Sequence, residues 1–239
     1  MKSVALLFLL GALVTAQTKR KTDEFPTAEG PLRITPVRHA SLMLEGGGQV
    51  VHVDPWSQGN YEGLPQADLI LITDNHGDHL DAAMVDKLKK ARTPVVGPEV
   101  VAAKIPGAVP VRAGQTKTFG KWTVEAMPAY NLKRGPAEGK LFHEKGRGVG
   151  YLLTFGGKRI YVSGDTEGIP EMKALRDVDI AFVCMNLPYT MPPEEAAEAV
   201  RAFKPKVVYP YHYRGSDLLL FEKGLAGTGI EVRNRDWYY

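Results

Sequence analysis

From residue 31 the apolar positions fall into short runs whose period changes along the chain. In "ITPVRHASLMLEGGGQVVHVDPW" they alternate or cluster on either side of Gly46 to Gly48, which predicts an antiparallel meander ending at Asp54. "ADLILIT" is a further strand and runs straight into "DNHGDHLD". There the period lengthens: Met84, Val85 and Leu88 recur at helical spacing, Asp81 is placed to cap the helix start, and Lys87, Lys89 and Lys90 lie near its end. Next, "WTVEAMPAY", "GVGYLLTF" and "KRIYVSGD" read as strands, then a short helix after Pro170 and the strand "VDIAFVCMN". The helix "PEEAAEAVRAF", the strand "KVVYPY", the helix "DLLLFEKGL" and a last strand complete the chain. Meanders that give way to strand–helix alternation, twice over, predict two mixed sheets packed together with helices outside, a four-layer αββα sandwich of the α/β (α+β) class. Between two strands, residues 131–148 hold five basic residues and four glycines without apolar periodicity, the composition of a long surface loop of the kind that borders sites.

The amino end breaks this pattern. One lysine precedes an unbroken apolar run from Val4 to Val14 and small residues ending at Ala16, which reads as a secretory signal peptide over residues 1–16. The run is too short for a membrane span, which needs about 20 residues in a helix. An exported protein, periplasmic or secreted after cleavage near Ala16, is therefore expected. Residues 17–30 are polar and aperiodic and read as a flexible lead-in, so residues 31–239 form a single domain. The net charge of +3 falls to +2 without Lys2, too near neutral to argue for a nucleic-acid or membrane partner; a small-molecule substrate fits better, and the oligomeric state is left open. The one cysteine, Cys184, sits among strand residues and reads as a buried inert thiol.

Candidate chemistry gathers in "LITDNHGDHLD". Asp74, His76, Asp78 and His79 lie between a strand and a helix, where side chains could surround one or two cations; imidazole and carboxylate both bind zinc, and carboxylates also suit harder ions. A solvated turn with Asp78 and Asp81 as helix caps would need the same residue types. The metal reading gains from two other apolar runs that stop at ligand-type residues, "YVSGDT" at Asp165 and "YPYHY" at His212, because strand ends converging on one rim build sites. Nucleophilic alternatives are weaker: Ser163 lacks a Gly-x-Ser-x-Gly elbow, and there is no glycine-rich phosphate loop.

These segments resemble the metallo-β-lactamase-fold hydrolases, whose signature is His-x-His-x-Asp-His followed by a histidine, an aspartate and a final histidine. "RHASLMLE", "VDPW", "SGDT", "MNLPYTM" and "YPYHY" are similar to the branch containing ascorbate-6-phosphate lactonase and the N-acylphosphatidylethanolamine-hydrolysing phospholipase D. The resemblance implies that Asp78, His79 and His212 hold one metal and that Asp165 bridges it to a second, with Asp78 and Asp165 acting in catalysis. His76 and Asp74 would serve the second metal, where the family has histidine at the latter position. The family's middle histidine aligns with Asn131, so that pocket departs twice, and His143 is a candidate substitute ligand. His39, Asp54, Tyr189, Arg147 and Arg214 are placed beside the metals or the substrate, and His52 is structural.

The implied activity is hydrolysis of an ester, lactone, amide or phosphodiester by a metal-bound hydroxide, with one or two divalent ions. Zinc leads, and the carboxylate-rich second pocket leaves manganese, iron or magnesium open. A catalytically degenerate binding protein and a single-metal or iron redox protein are the alternatives.

Overall fold

The computed structural model describes residues 20–238; the segment assigned to a signal peptide lies outside them. Two seven-stranded sheets divide the chain between them. The first runs in sequence order: β1 (Asp23–Phe25), β2 (Leu32–Arg38), β3 (Ser41–Gly46), β4 (Gln49–Val53), β5 (Leu69–Leu71), β6 (Val95–Gly97) and β7 (Val109–Pro110). The second comprises β8 (Thr116–Phe119), β9 (Trp122–Ala129), β10 (Gly148–Phe155), β11 (Lys158–Val162), β12 (Ile180–Cys184), β13 (Val207–Tyr211) and β14 (Glu231–Val232), again in order. Each sheet begins with three antiparallel pairings and ends with three parallel ones. The two halves thus repeat one topology, so β4 corresponds to β11, β5 to β12 and β6 to β13.

Alternation along the strands decides the layers, because successive side chains point to opposite faces. Leu42 and Leu44 of β3 and Leu69 and Leu71 of β5 enter the large core shared with β9 to β13, including Val124, Tyr151, Leu153 and Phe182. Met43 and Ile70 point the other way, onto Met84, Val85 and Leu88 of α1 (Ala82–Leu88) and Val101 of α2 (Glu99–Ala102). On the far side of the second sheet lie α3 (Pro170–Lys173), α4 (Pro193–Phe203) and α5 (Leu218–Leu225); α4 buries Ala196, Ala197, Val200 and Phe203 there. The αββα expectation therefore holds. Asp81 caps α1, accepting from the Met84 amide at 3.1 Å.

The polar stretch expected to be a flexible lead-in instead supplies β1. Its Asp23 is buried, bound by two nitrogens of Arg235 at 2.8 and 2.6 Å and by the Tyr209 hydroxyl at 2.8 Å. Buried charge satisfied in this way ties both ends of the domain together, a pairing that polar composition alone does not betray.

Candidate metal centre

The site lies where parallel strands end. Asp54 follows β4, Thr73 to His79 follow β5, Asp165 follows β11, and His212 follows β13. His39, Asp54 and His212 adopt φ of 53°, 44° and 49°, a left-handed conformation that non-glycine residues rarely take. Backbone hydrogen bonds hold these turns: His212 N–H donates to His39 C=O at 3.0 Å, and His39 N–H to Trp237 C=O at 3.1 Å. Gly164, at φ 62°, packs so closely that a Cβ would lie 2.7 Å from the Val149 carbonyl oxygen. Only glycine lets the chain turn there and deliver Asp165.

His79, Asp165 and His212 meet in the buried interior of this rim. His79 Nε2 lies 3.2 Å from His212 Nε2 and 3.2 Å from Asp165 Oδ2, and His212 Nε2 lies 3.3 Å from Asp165 Oδ1. Four ligands around zinc at about 2.0–2.1 Å would stand about 3.3–3.4 Å apart, so these spacings suit the edges of a coordination polyhedron. The carboxylate oxygen Asp165 Oδ1 is buried without a hydrogen bond among the described residues. Behind His79, Asp54 Oδ2 accepts its Nδ1–H at 2.9 Å, while the Thr73 amide and hydroxyl donate to the same carboxylate at 2.7 and 2.6 Å. In the neutral ring Nε2 is then the lone-pair nitrogen facing the cluster, the arrangement a metal-ligating histidine needs. The donor set and the orphaned oxygen therefore fit a divalent ion.

The buried charges here act strongly on one another, with carboxylates drawing positive charge into the cluster. Burial alone would push the Asp165 carboxyl up, but His212, His79 and the His143 hydrogen bond outweigh it and hold it well below the usual carboxylate range. Burial would lower His79, yet Asp165 and Asp54 raise it well above an ordinary histidine. Asp78, about a third exposed at the mouth, is likewise held far below its ordinary range: the nearby His212 imidazole and the hydrogen bond from His39 overcome its burial. Its Oδ2 lies 3.1 Å from His39 Nε2 and 3.6 Å from His212 Nε2. The His39 ring lies over that of His212, centroids 3.7 Å apart and planes tilted by 33°, and burial pushes its pKa down to about 4 against the pull of Asp78.

A second group comprises Asp74, His76, His143 and Asp165. His143 returns from the long loop to place Nε2 3.1 Å from Asp165 Oδ2. Asn131, the position aligned with the missing histidine, is not among these groups. Its Oδ1 accepts from His143 Nδ1 at 2.7 Å and from the His143 amide at 2.9 Å, and its Nδ2 donates to Glu167 and to the Tyr189 carbonyl. The loop therefore closes on itself so that Asn131 orients His143. Arg147 reaches in from the same loop, its Nη2 lying 2.8 Å from His76 Nε2 and 3.2 Å from Asp74 Oδ2.

Above both groups opens a cavity of about 400 Å³. Phe142, Tyr189, Asn186 and Arg214 line it together with the histidines. Arg214 is exposed and pairs with no carboxylate among the described residues. His52, expected to be structural, is buried and hydrogen-bonds the Pro65 carbonyl at 3.0 Å, and Cys184 is buried in β12. Two contributors carried no signal in the sequence. The Tyr238 hydroxyl lies 2.6 Å from His39 Nδ1, bringing the carboxyl-terminal aromatics into the site. Glu167, directly after "SGDT", anchors Asn131 at 3.1 Å and the Arg134 amide at 2.8 Å.

Fold and donor set together define a member of the metallo-β-lactamase class. A family model described as a β-lactamase superfamily domain matches residues 33–212, and the chain belongs to that superfamily. Within it the chain is 31% identical over 225 residues to a UPF0173 metal-dependent hydrolase of Carboxydothermus hydrogenoformans, covering 85% of this chain and 97% of the relative. A crystal structure from Parabacteroides distasonis, described as that of a metal-dependent hydrolase, superposes with a TM-score of 0.87 at 41% identity over 92% of this chain and all of the other. A metallo hydrolase of Ignicoccus hospitalis shares the fold, with a TM-score of 0.71 at 21% identity over 85% of this chain and 94% of its own. The protein is a metal-dependent hydrolase.

Proposed function

We propose that Asp78, His79, Asp165 and His212 hold the divalent ion, with zinc the first choice and manganese or iron the alternatives, and that the enzyme opens an ester, lactone, amide or phosphodiester bond in a small molecule. One observation carries this reading: two histidine Nε2 atoms and Asp165 Oδ1, which accepts no hydrogen bond among the described residues, converge in a buried pocket open to a cavity. A divalent ion there acidifies water and stabilises negative charge that develops on the substrate. Around it, each residue has a defined task. Asp54 fixes the His79 tautomer, and His39, held by Tyr238, orients Asp78 at the mouth. Arg214 offers an uncommitted guanidinium to an anionic substituent, and Tyr189 and Phe142, packed edge to face at 5.1 Å, offer apolar surface beside it.

The supporting experiment combines elemental analysis of purified protein with hydrolysis of a panel of aryl esters, lactones, amides and phosphodiesters. Asp78→Ala and His212→Ala should each abolish turnover and lower metal content. A well-folded protein that binds no metal and turns over nothing would refute the reading. We also propose that the protein acts after export, on the strength of the apolar run at residues 4–14. Amino-terminal sequencing of the cell-envelope or secreted form should begin near residue 17, and a mature form starting at Met1 would contradict it. Among the described residues no helix is long and apolar enough to cross a membrane.

A further inference from the structure

We infer that Arg147 holds the pocket of Asp74, His76, His143 and Asp165 against a cation, so that the protein carries one tightly bound divalent ion, at Asp78, His79, Asp165 and His212. This inference rests on the metal-centre reading above and concerns a pocket that, from its position in the superfamily motif, would be a second full site.

What stands behind each histidine separates the two pockets. A neutral imidazole that ligates through one nitrogen carries its proton on the other, and that N–H needs an acceptor. His79 meets the requirement, because Asp54 Oδ2 accepts from Nδ1 at 2.9 Å; His212 Nδ1 is buried without a hydrogen bond among the described residues, but no donor engages its Nε2 lone pair. His143 meets it too, with Asn131 Oδ1 2.7 Å from its Nδ1. His76 has the opposite surroundings. Its Nε2 lies 2.8 Å from Arg147 Nη2, and a guanidinium can only donate. The Nε2 lone pair is therefore engaged, and the proton stays on Nδ1, 2.8 Å from Asp74 Oδ2. A cation approaching Nδ1 would have to reverse the tautomer and aim an N–H at the N–H of Arg147. One approaching Nε2 would have to displace the guanidinium outright.

Asp74 is spoken for as well. Its Oδ2 is shared by His76 and Arg147, and its Oδ1 accepts from the Asn75 amide at 2.7 Å. Arg147 is not a passing visitor: Nη1 donates to the Phe142 carbonyl at 2.9 Å, Nη2 also reaches Asn75 Oδ1 at 2.8 Å, and its backbone N–H bonds the Glu144 carbonyl at 3.1 Å. A fixed positive charge thus already balances the Asp74 carboxylate. Replacing the motif's histidine with Asp74 supplies the partner that Arg147 needs, which gives the aspartate at this position a purpose other than ligation.

Titration calorimetry of metal-stripped protein with zinc, run against a competing chelator, tests this. Wild type should take up one tight equivalent, with any second weaker by about a hundredfold, and Arg147→Met should tighten the second by about tenfold or more while the first stays unchanged. Should Arg147→Met fail to fold, as judged by circular dichroism, His76→Ala serves instead: it should keep the tight equivalent, whereas His79→Ala should lose it. Two equivalents of like affinity in wild type, a second equivalent unmoved by Arg147→Met, or loss of the tight equivalent in His76→Ala would each overturn the inference while leaving the metal centre standing. Uptake of no zinc at all would remove both.

Discussion

Asp54→Asn probes the buried scaffold of the site with a change of about one atom. Asp54 is fully buried and receives three donors: the Thr73 amide at 2.7 Å, the Thr73 hydroxyl at 2.6 Å and His79 Nδ1 at 2.9 Å. An asparagine has one carbonyl oxygen for them. If that oxygen stays with the Thr73 amide, the new NH₂ faces the Thr73 hydroxyl, which can turn and accept, and His79 Nδ1, which can accept only by giving up its proton. The His79 proton then moves to Nε2, the nitrogen aimed at Asp165 and His212. Loss of such a supporting partner costs about 10–100-fold in metal affinity, equivalent to about 1.4–2.7 kcal/mol. A chelator competition with a fluorescent zinc indicator reads this directly, and a thermal melt of the metal-free protein separates it from general unfolding. Zinc affinity equal to wild type in a folded Asp54→Asn protein would refute the claim that Asp54 sets the tautomer of a metal-ligating His79.

Three further outcomes follow from the same structure. Tyr238→Phe removes one hydrogen bond, worth about 0.5–1.5 kcal/mol, from His39 and should lower kcat about 2- to 10-fold on whichever panel substrate is turned over; a kcat equal to wild type would show that Tyr238 does not act on Asp78 through His39. Burial works against charge on Asp23, but the Arg235 fork and the Tyr209 hydroxyl outweigh it and lower its pKa. Its contribution is therefore present above about pH 4 and lost as pH falls through the depressed value, so Asp23→Asn should cost about 1–3 kcal/mol at pH 7 and converge with wild type in acid melts. Gly164→Ala forces a Cβ to within 2.7 Å of a carbonyl at a left-handed φ and should destabilise by about 1–3 kcal/mol and impair metal binding through Asp165, as denaturant titration and elemental analysis would show.

The layers are legible because strands covered on both faces, such as β5, β12 and β13, are continuous apolar runs, and alternation in strands such as β9 marks those with a more open face. The rim was legible for a related reason: Asp54, Asp165 and His212 each stand where an apolar run stops. Elements of two to four residues, such as β7 and α2, are too short to show a period. Strand β1 escaped because its only buried polar residue, Asp23, is satisfied by Arg235, more than two hundred residues away. A separation of 199 residues from His39 hid Tyr238 in the same way. The relation between Asn131 and His143 lay within reach, since both were candidates for one ligand position. Only the closure of their loop, with Asn131 N–H bonded to the His143 carbonyl at 2.8 Å, shows that one orients the other. In the sequence Arg147 reads as a cation beside the metals or the substrate, and no pattern places its guanidinium 2.8 Å from His76.

The central claim is that chain segments near 79, 165 and 212 meet around a shared ion. Anomalous diffraction from zinc-loaded crystals, with data collected on both sides of the zinc absorption edge, locates that ion without reference to activity. The account predicts a strong peak within bonding distance of His79 Nε2, His212 Nε2 and an Asp165 carboxylate oxygen. A zinc-loaded crystal with no peak there, or with its principal peak between His76 and Asp74, would contradict it.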